Sequence, residues 1–398
     1  MKNKFNTSLG WNISKLGTLC TLQAGGTPSR TILSYWKDGR IKWISARHIN
    51  EDKIQSWEYI SHQGLDNSSA KVSNPGDLIL VTRVSVGKVL FCEEHFAVNQ
   101  DLTIIRKSSK INNKFLFFIL KLLLNQLISS AQGLSIKGIE RSALENLPIP
   151  CPPIEEQRRI VEVLECWDKG IALVKKLIEQ KELQKKYLMQ QLLSGVLRLK
   201  GFTQKWGKKP LGKLITLYQG YPFKSETYSA QGHYKIITIA NVKQGYLDLA
   251  KFSTIQVLPP DILNYQQLDV GDILISMTGN VGRVCLVNSK NCLLNQRVGK
   301  IEANLLNKEF LFYILQLPDF LNVMLACAQG GAQANLSTKD IYHYVLFYPS
   351  DAREQQAIAE VLSSADKEID LLKQKLAKLE AQKKGLMQVL LTGKIRLK

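Results

Sequence analysis

Signatures of catalytic and metal-binding proteins are scarce in this sequence. It has no Gly-x-x-x-x-Gly-Lys-Ser/Thr phosphate loop and no Asn-Pro-Pro-Tyr or Asp-Pro-Pro-Tyr motif for amino methylation. Pro318-Asp319 lacks the Asp/Glu-x-Lys of a nuclease site behind it. The histidines have no metal-ligand spacing, and they are His48, His62, His95, His233 and His343. We therefore expect no catalytic residue, no metal and no cofactor in this chain.

Paired cysteines and long apolar runs are also lacking. The seven cysteines are odd in number and contain no Cys-x-x-Cys, which disfavours a disulfide framework and indicates a reducing compartment. The first residues show no apolar signal core. The most apolar run, 115–124, is interrupted by Lys121 and is too short to span a bilayer. We expect a cytoplasmic protein that makes no membrane contact.

Acidic residues are few relative to basic ones. The 398 residues contain 34 Asp and Glu against 53 Lys and Arg, a net charge of +19. Residues 1–150 have 19 basic against 11 acidic side chains, and residues 201–350 have 14 against 9. This excess favours a polyanionic partner, nucleic acid before membrane, although a generic cationic protein would share it. With 45% hydrophobic and 22% charged residues, the chain can form two or three ordinary domains.

The dominant feature that is present is an internal repeat. Glu156-Gln157 opens a segment that runs to Arg198-Leu199-Lys200, and Glu354-Gln355 opens a matching segment that runs to Arg396-Leu397-Lys398. The offset is 198 residues without a gap. An internal repeat of this kind determines the domain organisation of the chain, so it is interpreted before any single motif. It divides the chain into two copies of a globular block followed by a long helix.

Both repeated segments have a heptad pattern of apolar residues, which is typical of a coiled coil. In the first segment the seam positions are Ile160, Leu164, Trp167, Ile171, Val174, Ile178, Leu188 and Leu192, with Lys181 and Lys185 as polar breaks. In the second they are Ile358, Leu362, Ala365, Ile369, Leu372, Leu376, Leu379, Leu386 and Leu390, with Lys383 as the only break. Gly195 and Gly393 are expected to end the helices, and Ser350 or Asp351 to cap the second. Two helices of equal length most simply pair with each other.

The globular blocks repeat more weakly, at offsets of 195 to 197 residues. Gly76-Asp77 corresponds to Gly271-Asp272 before an apolar run, which predicts a turn and then a buried strand. A Phe-rich run at 115–120 corresponds to 310–315 and predicts a buried helix. Each block is therefore expected to be mixed α/β. The polar loops differ between the copies, as expected of two domains that each recognise a different sequence.

The layout resembles the specificity subunit of type I restriction–modification systems, over essentially the whole chain. The specific motifs are residues 152–158, Pro-Pro-Ile-Glu-Glu-Gln-Arg, and residues 192–199, each with a second copy. The second copy departs at 349–353, where Pro-Ser-Asp-Ala-Arg lacks the double proline. The resemblance implies target recognition domains at 1–152 and 201–350. It further implies repeated helices at 153–200 and 351–398 that form an antiparallel coiled coil.

The resemblance also implies function and partners. Each domain would read one half of a bipartite, asymmetric DNA sequence, and the helices would set the spacer and dock two modification (methyltransferase) subunits. Restriction (motor-nuclease) subunits would join them. S-adenosylmethionine and ATP with Mg²⁺ would be bound by those partners, and this chain would contribute no catalytic residue.

Candidate DNA-binding residues come from loop positions of the repeat alignment, where basic and amide side chains contact phosphates or base edges. In the first block they are Arg30, Arg47, His48, Arg83, Lys88, Ser135 and Lys137. In the second they are Lys224, Asn241, Lys243, Thr278, Asn280, Arg283, Gln333 and Asn335. The recurring pairs Asn99-Gln100 and Asn295-Gln296 are interpreted as support for the fold. A coiled-coil adaptor without a DNA role explains the helices but not the basic blocks.

Overall fold

The structure is a computed structural model that describes residues 10–50, 53–130, 138–328 and 334–397. The chain divides into two compact units. The first unit is Met1–Lys175 with Lys375–Lys398, and the second is Lys176–Gln374. Each unit therefore contains one globular domain and one part of each long helix.

The first domain is built of short strands and short helices. In chain order its elements are β1 (Asn12–Lys15), α1 (Leu16–Leu19), β2 (Leu22–Ala24), β3 (Ile41–Ile44), β4 (Ile49–Asn50), β5 (Lys53–Ile54), β6 (Glu58–Ile60), α2 (His62–Asp66), β7 (Lys71–Val72), β8 (Leu78–Val81), β9 (Val89–Phe91), β10 (Ala97–Val98), β11 (Leu102–Ile105), α3 (Asn113–Ser130), α4 (Arg141–Glu145) and β12 (Pro148–Cys151). The first long helix, α5 (Ile154–Leu193), follows.

The second domain repeats this plan. Its elements are β13 (Trp206–Pro210), β14 (Ile215–Gln219), β15 (Tyr234–Ile237), β16 (Ser253–Ile255), β17 (Gln267–Leu268), β18 (Ile273–Ser276), β19 (Val284–Leu286), β20 (Cys292–Leu294), β21 (Val298–Ala303), α6 (Lys308–Ile314), α7 (Pro318–Cys327), α8 (Thr338–His343) and β22 (Val345–Pro349). The second long helix is α9 (Ala352–Leu390).

Equivalent sheets have the same strand order in the two domains. The order β2-β11-β8-β9 in the first corresponds to β14-β21-β18-β19 in the second. The order β6-β3-β10-β7 corresponds to β16-β15-β20-β17, with one parallel pair in each sheet. A two-stranded antiparallel sheet, β1 with β12 or β13 with β22, joins the start of each domain to its end. The expected mixed α/β class and the weaker repeat of the blocks are confirmed.

The repeated Gly-Asp pairs hold turns before buried strands, as expected. Gly76 and Gly271 have φ of +89° and +92°, a left-handed conformation that glycine adopts without strain. The Asp77 carboxylate accepts hydrogen bonds from the backbone N–H of Asn74 and Lys107 and pairs with Arg106 at 2.8 Å. Strands β8 and β18, which follow these turns, are buried along their whole length.

The two long helices pair antiparallel within each unit. In the first unit Asp168 on α5 contacts Lys383 on α9, and farther along α5 Lys175 pairs with Glu380. As the residue numbers rise along α5, those of the contacted residues on α9 fall, so the two helices run antiparallel. The predicted seam positions are buried or half-buried in both helices. The expected coiled coil of two helices is confirmed.

The lysines that interrupt the seam are paired. Lys185 on α5 donates to the Asp366 carboxylate on α9 at 2.5 Å and lies 5.5 Å from the Tyr313 ring centroid. Lys383, 198 residues later, donates to Asp168 at 2.5 Å and lies 5.3 Å from the Phe118 ring. Lys181 on α5, the third break, pairs with Glu368 on α9 at 2.7 Å. All three breaks in the apolar pattern are therefore interhelical ion pairs, and those of Lys185 and Lys383 lie against an aromatic ring.

The repeated Glu-Gln and Arg motifs meet at the helix ends. In the first unit Arg396 donates two hydrogen bonds to Glu156, and the Trp11 indole donates a third. In the second unit Arg198 and Trp206 contact Glu354 in the same way. The segment after one helix thus closes on the first turn of the other.

The turns that terminate the helices agree with the sequence. Gly195 and Gly393 have φ of +74° and +72° and lie 3.4 Å from the rings of Trp206 and Trp11, measured from the position of an added Cβ. The Asp351 carboxylate accepts from the Arg353 backbone N–H at the start of α9. The C′ glycines and the Asp351 cap are confirmed.

No single helix among the described residues is long and apolar enough to cross a membrane. One bent pair, Lys308–Ile314 with Pro318–Cys327, passes the same test by length and composition together. Phe310 and Phe320 from this pair are fully buried in the core of the second unit.

Candidate nucleic-acid interface

In the first domain, three of the candidate residues converge on one carboxylate. Arg30 pairs with Glu58 at 2.5 Å, Arg47 pairs with the same carboxylate, and His48 Nε2 lies 3.6 Å from it. The hydrogen bond from Arg30 is the main cause that lowers the pKa of Glu58, so this carboxyl is ionised at neutral pH. Two cations around one anion leave a net positive charge on an exposed surface.

Tryptophan side chains hold Arg30 in place. Its guanidinium carbon lies 3.5 Å from the Trp36 ring centroid, and the Trp36 ring meets Trp43 edge-on with centroids 5.2 Å apart. The Trp36 and Trp43 indoles donate to the backbone carbonyls of Ser29 and Gly26. Stacking on an aromatic face is a preferred environment of arginine. The loop that carries Arg30 is therefore fixed before any ligand binds.

His48 is buried, with 7% of its surface exposed, and accepts a hydrogen bond from the Ser45 backbone N–H. Burial and the neighbouring Arg47 lower its pKa, so the imidazole is neutral at pH 7. Since Nδ1 accepts, the neutral ring carries its proton on Nε2, which lies 3.6 Å from the Glu58 carboxylate that pairs with Arg47. His48 is therefore part of the support around Glu58, with only a small surface available to a ligand.

Arg83 belongs to a groove of about 300 Å³ in the same domain. The groove is lined by Leu22, Ala24, Thr82, Arg83, Gln100, Thr103, Ile139, Glu140, Arg141 and Leu144. Gln100 accepts a hydrogen bond from Thr27, three residues before Arg30. The loop that carries Arg30 is thus joined directly to the groove. Lys88 is half-buried and donates to the Ile49 carbonyl, next to His48 in the chain.

The second domain has a larger groove, of about 620 Å³, at the equivalent place. Its lining residues are Gln219, Met277, Thr278, Gln296, Arg297, Asn335, Leu336, Ser337 and Thr338. Thr278 and Asn335 are joined by an isolated antiparallel bridge, which fixes one wall of the groove. Ser135, Lys137 and Gln333 lie outside the described residues.

The other candidates of the second domain are dispersed. Lys224 is exposed beside the 3-10 turn Ser225–Thr227, and Asn280 is exposed at the tip of the β18–β19 loop. Lys243 and Arg283 are half-buried. Asn241 is only 3% exposed, and its amide bonds Thr238, the Asp248 carbonyl and the Lys251 carbonyl. The Asn241 side chain therefore holds its loop together.

Sequence reasoning missed several groove residues that the structure brings together. Asn99 is buried and bonds Asp101, as expected of a residue that supports the fold. Gln100, its neighbour, is exposed at the groove, and so are Gln296 and Arg297 in the second domain. The signal in the sequence is the Asn-Gln pair that recurs in both blocks. Its two residues have different roles, because Asn99 is buried while Gln100 and Gln296 are exposed at the grooves.

No group of three His, Cys, Asp or Glu side chains in the described ranges is placed to hold a metal ion. The two grooves are lined in part by cationic, amide and hydroxyl side chains, among them Arg83, Gln100 and Arg297. Such groups are the donors and acceptors that contact DNA phosphates and base edges. Equivalent frames with different groove residues are the architecture of a protein with two separate recognition sites.

Residues 8–183 and 203–381 each match the type I restriction modification DNA specificity domain, so the chain belongs to that family. Members of this family supply DNA sequence recognition to type I restriction–modification systems and are not themselves catalytic. The expected function class is confirmed, and so is the assignment as a non-catalytic specificity subunit.

Curated relatives are similar over most of the chain. The MjaVIII specificity subunit of Methanocaldococcus jannaschii is 27% identical over 409 residues, which cover 98% of this chain and 93% of the relative. The EcoR124I/EcoR124II specificity subunit of Escherichia coli is 30% identical over 160 residues, covering 38% of this chain and 40% of the relative.

Solved structures share the fold. One comes from work on complex assembly and conformational transition of the type I R-M system; it covers 98% of both chains with a TM-score of 0.63 and 23% identity. The S subunit from M. genitalium covers 98% of this chain and 97% of its own, with a TM-score of 0.57 and 17% identity.

Proposed function

We propose that each globular domain reads one half of a bipartite, asymmetric DNA sequence. The observation that carries this proposal is a shared frame whose grooves are lined by different side chains. At the groove, Arg83 of the first domain is replaced by Thr278 in the second. Arg297, which lines the second groove, stands at the position that Asp101 occupies in the first domain. Different donor and acceptor sets select different base edges.

The long helices then set the spacer between the half-sites and dock two modification (methyltransferase) subunits, which restriction subunits join. Apolar side chains that the helix pairing leaves exposed support this docking: Leu173 is 68% exposed in the first unit, and Leu183 and Leu371 are 68% and 65% exposed in the second. The partners bind S-adenosylmethionine, ATP and Mg²⁺, and the whole assembly acts in the cytoplasm.

Domain exchange tests the proposal. The full chain is prepared with its modification partner, and the recognised sequence is read from the methylated positions in DNA exposed to the complex. Replacing residues 201–350 by the corresponding block of another specificity subunit should change one half-site and preserve the other half-site and the spacer. The reciprocal exchange of residues 1–152 is the matched control and should change the opposite half.

A change in both half-sites after one exchange would contradict the two-reader proposal. If neither parent nor exchanged chain prefers any duplex over random DNA, the adaptor without a DNA role becomes the better description.

A further inference from the structure

The loop between β8 and β9 holds two residues in backbone conformations that they disfavour. Val84 has φ of +49° and Ser85 has φ of +62°, both in the left-handed region. A β-branched residue in that region is a genuine outlier. In the second domain the corresponding position is Gly279, with φ of +68°. The shared frame thus requires a left-handed residue here, and glycine meets the requirement without strain.

Packing within the domain does not account for valine at this position. The Val84 side chain is 68% exposed, so burial of its apolar surface does not offset the cost of the strained backbone. The base of the loop is nevertheless well fixed. The Thr82 and Arg83 backbone N–H groups donate to the Asp101 carbonyl at 2.8 and 3.2 Å, and Gly87 N–H donates to Val81 at 3.0 Å. A rigid base therefore presents a strained, exposed apolar tip.

The position of the tip suggests what it contacts. Arg83, next to Val84, lines the groove together with Gln100 and Arg141. An apolar side chain is thus held directly beside hydrogen-bond donors. In the major groove of DNA, the apolar group that a base presents is the thymine C5-methyl, which lies among the acceptors that arginine and glutamine bind.

We propose that Val84 is a specificity-determining residue of the first domain that contacts a thymine methyl group in the first half-site. The strained backbone persists because binding to DNA uses the side chain that it presents. This inference rests on the proposed function, since it assigns one contact within the first reader.

The experiment uses the full chain with its modification partner and a duplex that carries the recognised two-part sequence. Each thymine of the half-site read by residues 1–152 is replaced in turn by deoxyuridine, which removes only the methyl group. Wild type should lose about fourfold in affinity at one of these positions, the value of one buried methyl group. Val84→Gly should lose a similar factor on the thymine duplex and show no further loss with deoxyuridine.

Ser85→Gly is the matched control, because it relieves strain at the adjacent residue while the Val84 side chain stays. Both glycine variants should raise Tm by about 2–4 °C. Only Val84→Gly should abolish the deoxyuridine effect, and affinity for second half-site variants should be unchanged in both.

Persistence of the deoxyuridine effect in Val84→Gly, or absence of any effect in wild type, would overturn the thymine contact. Those outcomes differ from failure of the proposed function, in which wild type would show no specific two-part binding at all.

Discussion

At the scale of single residues, the Glu–Arg pairs at the helix ends bury the charge of a carboxylate. Glu354 is fully buried, and its carboxylate is satisfied by the Arg198 guanidinium at 2.5 and 2.7 Å and by the Trp206 indole at 3.4 Å. A buried charge is tolerated when it is paired and fully hydrogen-bonded. The Glu and Arg motifs that recur 198 residues apart are therefore explained by structure and not by DNA contact.

Removing one partner of such a pair should be costly. Arg198→Met leaves the Glu354 carboxylate buried without a cation, and we expect the unfolding free energy to fall by about 3 kcal/mol. Urea denaturation measures it. The matched control is Arg158→Met, whose partner Glu155 is 66% exposed, and it should change stability by less than about 0.5 kcal/mol. Equal effects in the two variants would mean that burial of the pair is unimportant.

Glu156 should make stability depend on pH. Burial alone would raise its pKa, but hydrogen bonds from Arg396 and Trp11 outweigh burial, so the pKa of Glu156 is lowered in the folded protein. Stability from this group is present above the unfolded-state pKa of about 4.5 and is lost as pH falls through the folded value.

We therefore expect Tm to fall less between pH 5 and 3 in Glu156→Gln than in wild type. Glu155→Gln, at an exposed neighbouring carboxyl, should keep the wild-type pH profile. Parallel profiles for wild type and Glu156→Gln would refute the assignment.

At the scale of elements, the ion pairs on the helical seam call for a double-mutant cycle. Lys185→Met should lower the unfolding free energy by about 1 kcal/mol, because Asp366 loses its cation while it keeps the Tyr313 hydroxyl at 2.8 Å. Changing both residues to apolar ones should restore most of the loss, since a matched apolar seam replaces the pair. A coupling energy near zero would show that the two residues act independently.

Helix α9 should not tolerate proline at its centre. Leu372→Pro removes a backbone hydrogen bond and should destabilise the helix by about 3 kcal/mol or more. Co-purification with the modification subunit should be lost. Leu372→Ala keeps the helix and removes only a half-buried side chain, so it separates the seam from the backbone. Unimpaired assembly of the proline variant would count against the helices as the docking surface.

The sequence predicted the long helices and their pairing better than it predicted the grooves. Heptad spacing depends only on residues along one helix, so Leu362 and Leu390 could be placed on the seam directly. The contact of Gln100 with Thr27 joins residues 73 apart through tertiary folding, which no local pattern encodes. The repeat alignment places Asn241 in a polar loop, and its burial emerges only from the folded loop. Lys383 appeared to be a break because its partner Asp168 lies on the other helix.

At the scale of the whole molecule, the net charge of +19 should appear as salt dependence. Affinity of the assembled chain for its duplex should fall steeply with salt concentration, since each neutralised phosphate releases counterions. Lys224→Gln should reduce the slope of log K against log salt by about 1. Lys378→Gln, at an exposed position on α9, is the charge-matched control and should leave the slope unchanged. Specific binding that survives high salt would contradict the electrostatic account.

The contact of Arg396 with Glu156 has a consequence for biosynthesis. The first unit needs residues 375–397, which a ribosome adds about 200 residues after Lys175. At about 5–20 residues per second, the buried Glu156 carboxylate waits roughly 10–40 s for its cation. The second unit, continuous from Lys176 to Gln374, needs no such later segment. Nascent chains that are halted before residue 375 should therefore contain a folded second unit and an incompletely folded first unit. Proteases should cleave the first unit of such chains preferentially.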